Sequence, residues 1–346
     1  MANGEVTMSS YNVAVVGATG VVGEAMLSIL EQRNFPIDEL YPLASERSAG
    51  TKVMFRNKPV TVQNLAEFDF KKAHIGLFSA GGSVSAEYAP KAGNKGCIVI
   101  DNTSQFRYED DIPLVVPEVN LNAIADFRNR NIIANPNCST IQMLVALKPI
   151  YDAVGIKRIS VATYQAVSGT GKAAVEELAR QTSDLLNGRE TESRVYPRQI
   201  AFNALPQIDQ FMENGYTKEE MKMSWETCKI FGDDNIKISA TCVRIPVFYG
   251  HSEAVQVQTH KPITDKQVRE LLSNSAGVTV IDERKDGGYP TAVHESAGQD
   301  SVFVGRIRQD ISMPNSINLW VVADNVRKGA ALNSVQIAEE LIKNYL

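Results

Sequence analysis

Hydrophobic and polar positions fall into two regimes along the chain, and the change between them lies near Asn135. Before it, short β-branched runs alternate with stretches of helical spacing. Residues 11–16 (YNVAVV) predict a buried strand, and 23–32 (GEAMLSILEQ) place apolar residues on one helix face. Further strands are predicted at 40–44, 74–79 and 97–100, with a helix over 83–94. Strands alternating with helices need crossovers, which implies a parallel sheet.

After Asn135 the pattern predicts a helix over 139–150, a strand over 159–166 and a long helix over 172–186. Residues 236–247, 252–260, 302–308 and 318–323 alternate in polarity, which suits an antiparallel or mixed sheet with one covered face. The last stretch, 329–345, carries a helical stripe of Ala331, Leu332, Val335, Ile337, Ala338, Leu341 and Ile342. The expected organisation is a first domain of 1–135, joined by the C-terminal helix 326–346, and a second domain of 136–325.

Composition narrows the class. The 346 residues suffice for about two domains, and 44% apolar with 22% charged residues excludes wholesale disorder. A net charge of −5 speaks against a nucleic-acid partner. Cys97, Cys138, Cys228 and Cys242 form neither a CxxC pair nor a disulfide framework, so no metal site is expected. The most apolar stretch, 13–30, is broken by three glycines and Glu24, too interrupted to cross a bilayer. MANGEVTMSS lacks a basic start and an apolar core, so a soluble, cytoplasmic protein is expected.

A glycine loop, Val16-Gly17-Ala18-Thr19-Gly20-Val21-Val22-Gly23, joins the first strand to the first helix. Glycines there let a pyrophosphate approach N–H groups at a helix start, as in a Rossmann-type domain, although the spacing is GxxGxxG. The second strand ends in Ser45-Glu46-Arg47-Ser48, where an NAD enzyme commonly carries an acid for the ribose hydroxyl. Arg47 between two serines suits a 2′-phosphate, so NADP is expected over NAD, and Glu46 leaves mixed use open. Ser79-Ala80-Gly81-Gly82-Ser83 ends a later strand and is expected to line the same crevice.

The sharpest chemical signal is Ala134-Asn135-Pro136-Asn137-Cys138-Ser139-Thr140. A strand ends, a turn follows, and the cysteine stands where a helix start favours a thiolate. Cys97 and Cys242 sit in apolar runs and read as packing residues, whereas Cys228 fits either reading. A cysteine nucleophile with a nicotinamide cofactor points to oxidation of an aldehyde through a thioester, with a histidine as acid/base partner. His74 and His260 read as surface residues and His294 as a loop residue. His251, in the bend RIPVFYGHS, is the strongest candidate.

Taken together, GATGVVGE, SERSAG, DNTSQFR, NPNCSTIQ, TYQAVSGTGK, WETCK, CVRIPVFYGHSE and ADNVRKGAA resemble the aspartate-β-semialdehyde dehydrogenase family. The matches run in order over nearly the whole chain. The resemblance implies a Rossmann-type NADP-binding domain plus an α+β catalytic and dimerisation domain with a mixed, largely antiparallel sheet. It implies reversible phosphorylating oxidation of L-aspartate 4-semialdehyde to L-aspartyl 4-phosphate, a step towards lysine, threonine, methionine and isoleucine. Cys138 would then be the acyl-forming nucleophile, His251 the acid/base and Gln165 a substrate-holding residue. Arg244 would pair the substrate carboxylate, and Arg107 and Lys229 would bind phosphate with Asn102 and Glu226 beside them. Gly17, Thr19, Gly20, Val21, Val22, Arg47, Ser48, Ser168, Gly169 and Asn325 would contact NADP, and the assembly would be a homodimer.

From the residues alone, other readings stay open. Arg107 and Arg244 could balance an acidic surface, Gln165 could cap a turn and Lys229 could be one more exposed lysine. A reductase of N-acetylglutamyl phosphate and a non-catalytic Rossmann-domain binder are the rival functions. Residues 1–9 match none of these segments and are expected to be disordered.

Overall fold

The strand predicted first is present as β1 (Tyr11–Val16), whose last four residues are buried. The computed structural model describes residues 10–346, so the expectation for 1–9 lies outside the described residues. Two compact units emerge, the first holding the chain up to Pro113, Ala123–Asn135 and Ser334–Leu346, the second Leu114–Asn122 and Pro136–Asn333.

In the first unit β1 is followed by α1 (Val21–Gln32), β2 (Ile37–Ala44), a hairpin of β3 (Lys52–Phe55) and β4 (Lys58–Thr61), and β5 (Gln63–Asn64). Then come β6 (Ile75–Phe78), α2 (Gly82–Gly93), β7 (Ile98–Asp101) and β8 (Ile132–Ala134). The main sheet has the order β5-β2-β1-β6-β7-β8, and every pairing in it is parallel. The strand order reverses direction between β1 and β6, which opens a crevice beyond their carboxyl ends. The exposed hairpin β3–β4 was not foreseen.

The second unit begins with the short α3 (Pro117–Asn120) and continues with α4 (Cys138–Val154), β9 (Ile156–Gln165), α5 (Lys172–Leu186) and α6 (Lys218–Phe231). β10 (Lys237–Arg244), β11 (His251–Thr259), α7 (Asp265–Ser273), β12 (Val278–Val280), β13 (Val302–Gln309) and β14 (Ser316–Ala323) follow, and α8 (Leu332–Asn344) closes the chain. The sheet order is β10-β9-β11-β14-β13-β12. β9–β11, β11–β14 and β13–β14 are antiparallel, while β10–β9 and β12–β13 are parallel, so the sheet is mixed.

Residues 114–122 and 326–333, expected with the first domain, pack in the second unit. The reason is polar: Lys328 grips Glu118, and the Asn333 amide donates to the Val115 carbonyl over 3.0 Å. From Ser334 onwards the chain returns to the first unit, where Arg33 pairs with Glu339 at 2.7 Å.

Candidate active site

In the first unit the glycine loop runs directly from β1 into α1. Gly17 has φ +86°, and a Cβ there would lie 3.0 Å from the Ser79 backbone after β6. A Cβ at Gly23 would come within 2.1 Å of the Gly17 carbonyl oxygen, so the loop closes only with hydrogen at that position. Gly20 caps α1 without a side chain, leaving the N–H groups of its first turn, at Val21 and Val22, to face an anion.

A cleft of about 510 Å³ opens here, lined by Gly17, Thr19, Gly20, Arg47, Ser48 and Tyr88 among others. Glu46 and Arg47 both stand exposed on its rim. The glycine cradle, the helix start and a rim arginine fit the phosphates of a dinucleotide. Also in this unit, Arg107 is buried, and its Nη2 donates to the Asn102 carbonyl over 2.9 Å. The Asn102 side-chain oxygen accepts from Asn135 Nδ2 at 3.0 Å, three residues before Cys138.

In the second unit one end of the sheet collects the candidates. Gln165 ends β9 directly opposite Arg244, which ends β10. His251 begins the antiparallel neighbour β11, and on its other side pairs with Ala323, two residues before Asn325. Gln165, Arg244 and His251 are all at most 5% exposed, so none is a surface or turn-capping residue.

Arg244 Nη1 donates to the Ala166 carbonyl over 2.7 Å. The Ala166 N–H donates to His251 Nδ1 over 3.0 Å. With that lone pair engaged, the neutral ring carries its proton on Nε2. Burial first, then the Arg244 guanidinium, hold the imidazole well below its ordinary range, so it is neutral near pH 7. A Cβ at Gly169 would lie 3.1 Å from Arg244 Nη1 and 3.4 Å from His251 Nε2, so only a glycine keeps this corner open. Ser168 and Asn325 are buried and hydrogen-bonded to each other at 3.0 Å, and Asn325 Oδ1 also accepts from the Gly250 N–H.

Cys138 is the first residue of α4 and is half-buried. Asn137 caps the helix, its Oδ1 accepting from the N–H groups of Ser139 at 3.0 Å and Thr140 at 3.2 Å. The Asn137 N–H itself donates to Glu226 Oε2 over 2.6 Å. Farther along α4, Gln142 Nε2 donates to the His251 carbonyl over 3.4 Å. On the other flank Gly329 lies so close that an added Cβ would sit 2.7 Å from Cβ of Cys138.

Two residues that the sequence reading passed over belong to this cluster. Glu219 is buried, and its Oε1 accepts from Asn137 Nδ2 at 2.8 Å and Gln165 Nε2 at 3.3 Å. Lys222 Nζ donates to its Oε2 over 3.0 Å. Burial works to raise the Glu219 carboxyl, but the charge of Lys222, the Asn137 hydrogen bond and Arg244 outweigh it, so the group is held below the ordinary carboxylate range. Lys222 is therefore the α6 lysine tied to Gln165 through Glu219. Lys229, expected to bind phosphate, is half-buried seven residues farther along the helix, roughly 10 Å at 1.5 Å per residue. A signal for α6 existed, the capping box Thr217-x-x-Glu220.

Two family models match the chain. Residues 12–127 match the semialdehyde dehydrogenase NAD-binding domain, and residues 147–328 match its dimerisation domain. An aspartate-semialdehyde dehydrogenase of Shewanella violacea is 64% identical over 335 residues, covering 97% of this chain and 98% of that protein. The chain belongs to the aspartate-semialdehyde dehydrogenase family. A crystal structure of aspartate semialdehyde dehydrogenase II from Vibrio cholerae, complexed with ASA, has a TM-score of 0.96 and 62% identity, covering 98% of this chain and 100% of that one. The Candida albicans enzyme with NADP has a TM-score of 0.77 at 26% identity, over 96% of this chain and 98% of that one.

For a semialdehyde dehydrogenase the remaining cysteines and histidines are accounted for. Burial pushes the Cys97 thiol up to about 12 and raises Cys242 further. Burial, with Asp234 and Asp233 after it, also raises half-buried Cys228. His74, His260 and His294 are exposed. Among the described residues no group of three or more His, Cys, Asp or Glu could hold a metal ion, and no helix is long and apolar enough to cross a membrane.

Proposed function

We propose that this protein is an NADP-dependent aspartate-semialdehyde dehydrogenase that interconverts L-aspartate 4-semialdehyde and phosphate with L-aspartyl 4-phosphate. The observation that carries the reading is the nucleophile's setting: Cys138 stands at the capped start of α4, and Gln165, Arg244 and His251 share one end of the adjoining sheet.

The Cys138 thiolate adds to the aldehyde carbon, and the carbonyl electron pair moves onto oxygen. His251 Nε2–H is the donor for that oxyanion, and the same ring acts as acid/base when the thiohemiacetal hydroxyl forms or loses its proton. When bound, NADP⁺ supplies the acceptor for the hydride that leaves the thiohemiacetal carbon. The thioester so formed on Cys138 is attacked by a phosphate oxygen, and the thiolate departs. The biosynthetic direction is the reverse, a reductive step towards lysine by way of diaminopimelate, threonine, methionine and isoleucine.

Arg244 pairs the substrate carboxylate and Gln165 holds the substrate, with Glu219 orienting the Gln165 amide. Phosphate binding is assigned, on the family resemblance, to Arg107 with Asn102 beside it and to Lys229 with Glu226 beside it, and Lys222 is added by its contact with Glu219. Glu226 has a second task, since it accepts the Asn137 N–H at the nucleophile's turn. The residues assigned to NADP are Gly17, Thr19, Gly20, Val21, Val22, Arg47 and Ser48 of the first unit and, on the family resemblance, Ser168, Gly169 and Asn325 of the second. Arg47 on the cleft rim favours the 2′-phosphate.

The assembly in this reading is a homodimer joined through the second unit's sheet. In support, the strand positions Tyr164, Gln256, Gln258, Asn318 and Trp320 form a half-buried face that a second copy would cover. The setting is the cytoplasm, in keeping with four cysteines outside any disulfide.

The deciding assay supplies aspartate semialdehyde and NADP⁺ with and without phosphate and follows NADPH. Phosphate-dependent reduction is expected. Its absence in folded protein, or a faster reaction with the N-acetylglutamate analogue, rejects the assignment.

A further inference from the structure

Lys328 is the most deeply buried lysine of the second unit at 1% exposure, and the reaction above gives it no task. Its ammonium has three donors, and three acceptors surround it: Glu118 Oε1 at 2.8 Å, Glu118 Oε2 at 2.7 Å and Asn333 Oδ1 at 3.0 Å. Asn333 in turn donates from Nδ2 to the Val115 carbonyl over 3.0 Å. One cation thus joins the 115–118 segment to the chain at 328–333.

A buried ion pair is a weak source of stability, because desolvation offsets most of the attraction. Its better-attested use is to fix register. Here the residues it fixes are the strap 324–329. Near one end Asn325 accepts the Gly250 N–H at 3.0 Å, immediately before His251. At the other Gly329, next to Lys328, packs against Cys138 with no room for a Cβ. The strap is closed on itself by the Gly329 N–H, which donates to the Asp324 carbonyl over 3.1 Å. A shift of Lys328 is therefore transmitted to the backbone on which the nucleophile leans.

We propose that Lys328, through its bonds to Glu118 and Asn333, is a positioning residue that sets the register of the 324–329 strap against Cys138 and the Gly250–His251 turn. The inference rests on the reaction proposed above, but its first readout needs no substrate.

The test replaces the pair by apolar side chains of similar size, Lys328→Met with Glu118→Leu, an exchange that commonly preserves folding. Melting temperature is expected to stay at or above that of the wild type. Alkylation of Cys138 by iodoacetamide across pH is expected to show an apparent thiol pKa raised by about half a unit or more, because the sulfur no longer sits squarely at the helix start. In the semialdehyde assay kcat is expected to fall about tenfold or more, with KM for aldehyde and phosphate within about threefold, the signature of lost alignment rather than lost binding.

If the double variant does not fold, Glu118→Gln is expected to show the same direction with a kcat loss of about threefold or more. A folded variant with a wild-type alkylation profile and wild-type kcat overturns the proposal. Inactivity of the wild type towards the semialdehyde would instead sink the proposed reaction, leaving the alkylation test standing.

Discussion

The Ala166 N–H donates to Nδ1 of His251 over 3.0 Å, and this bond decides which ring nitrogen carries the proton. The ring is buried and neutral, with Nε2 beside Gly169.

Neutrality of a buried histidine has a stability consequence. The unfolded ring takes up a proton below its ordinary pKa of about 6.5, while the folded ring does not. Stability therefore falls as pH drops through that value. Between pH 7.5 and 5.5 the wild type is expected to lose on the order of 1 kcal/mol more than His251→Gln. Denaturant titrations of both proteins at the two pH values check this, and parallel losses would show that the ring protonates in the folded state.

The role proposed for Cys138 can be separated from that of its support. Cys138→Ser is expected to abolish turnover while leaving NADP⁺ binding intact. Asn137→Ala removes the cap on α4, at a cost of about 1 kcal/mol, and is expected to slow Cys138 alkylation at neutral pH. Equal alkylation rates in Asn137→Ala and wild type would remove the cap from the account of thiolate formation.

Arg244 lies in register with Gln165 and spends Nη1 on the Ala166 carbonyl. Lysine cannot hold that carbonyl and a substrate carboxylate together in one plane. Arg244→Lys is expected to raise KM for the semialdehyde, and to lower kcat/KM by about tenfold or more. Steady-state kinetics with the aldehyde varied decide the point, and unchanged constants would place Arg244 outside the substrate site.

Two glycines of the loop, Gly23 and Gly20, should differ in their tolerance. A Cβ at Gly23 collides with the Gly17 carbonyl, whereas at Gly20 its nearest neighbour is that oxygen at 3.4 Å, an ordinary contact. Gly23→Ala is expected to destabilise the first unit. Gly20→Ala is expected to fold and to weaken NADP⁺ binding, since its methyl group enters the cleft. Calorimetric titration with circular dichroism distinguishes the two, and equal folding of both variants would contradict the geometry.

Local pattern sufficed for most elements that bury an apolar stripe, although α7, which buries Val268 and Leu272, was not predicted. The first parallel strands, the helix beginning at Cys138 and the four long alternating strands were legible from spacing alone, and so were the glycine loop and the Asn-Pro-Asn turn before Cys138. Helix α6 was not, because its buried positions include Glu219, Glu220, Glu226 and Thr227, and burial of polar groups leaves no periodic hydrophobic signal. The same property hid Glu219 and Lys222, whose meaning lies in their distance to Gln165 and Asn137.

The sequence by itself determined the alternation of elements, the cysteine at a helix start and the family's motifs, since each is written within about a dozen neighbouring residues. Only the tertiary structure decided that His251 is buried with Nδ1 engaged, that Arg244 and Gln165 end paired strands, and that Lys328 meets Glu118 across 210 residues of chain. Such relations depend on how strands register and where polar groups find partners away from water, and neither quantity is local in the chain.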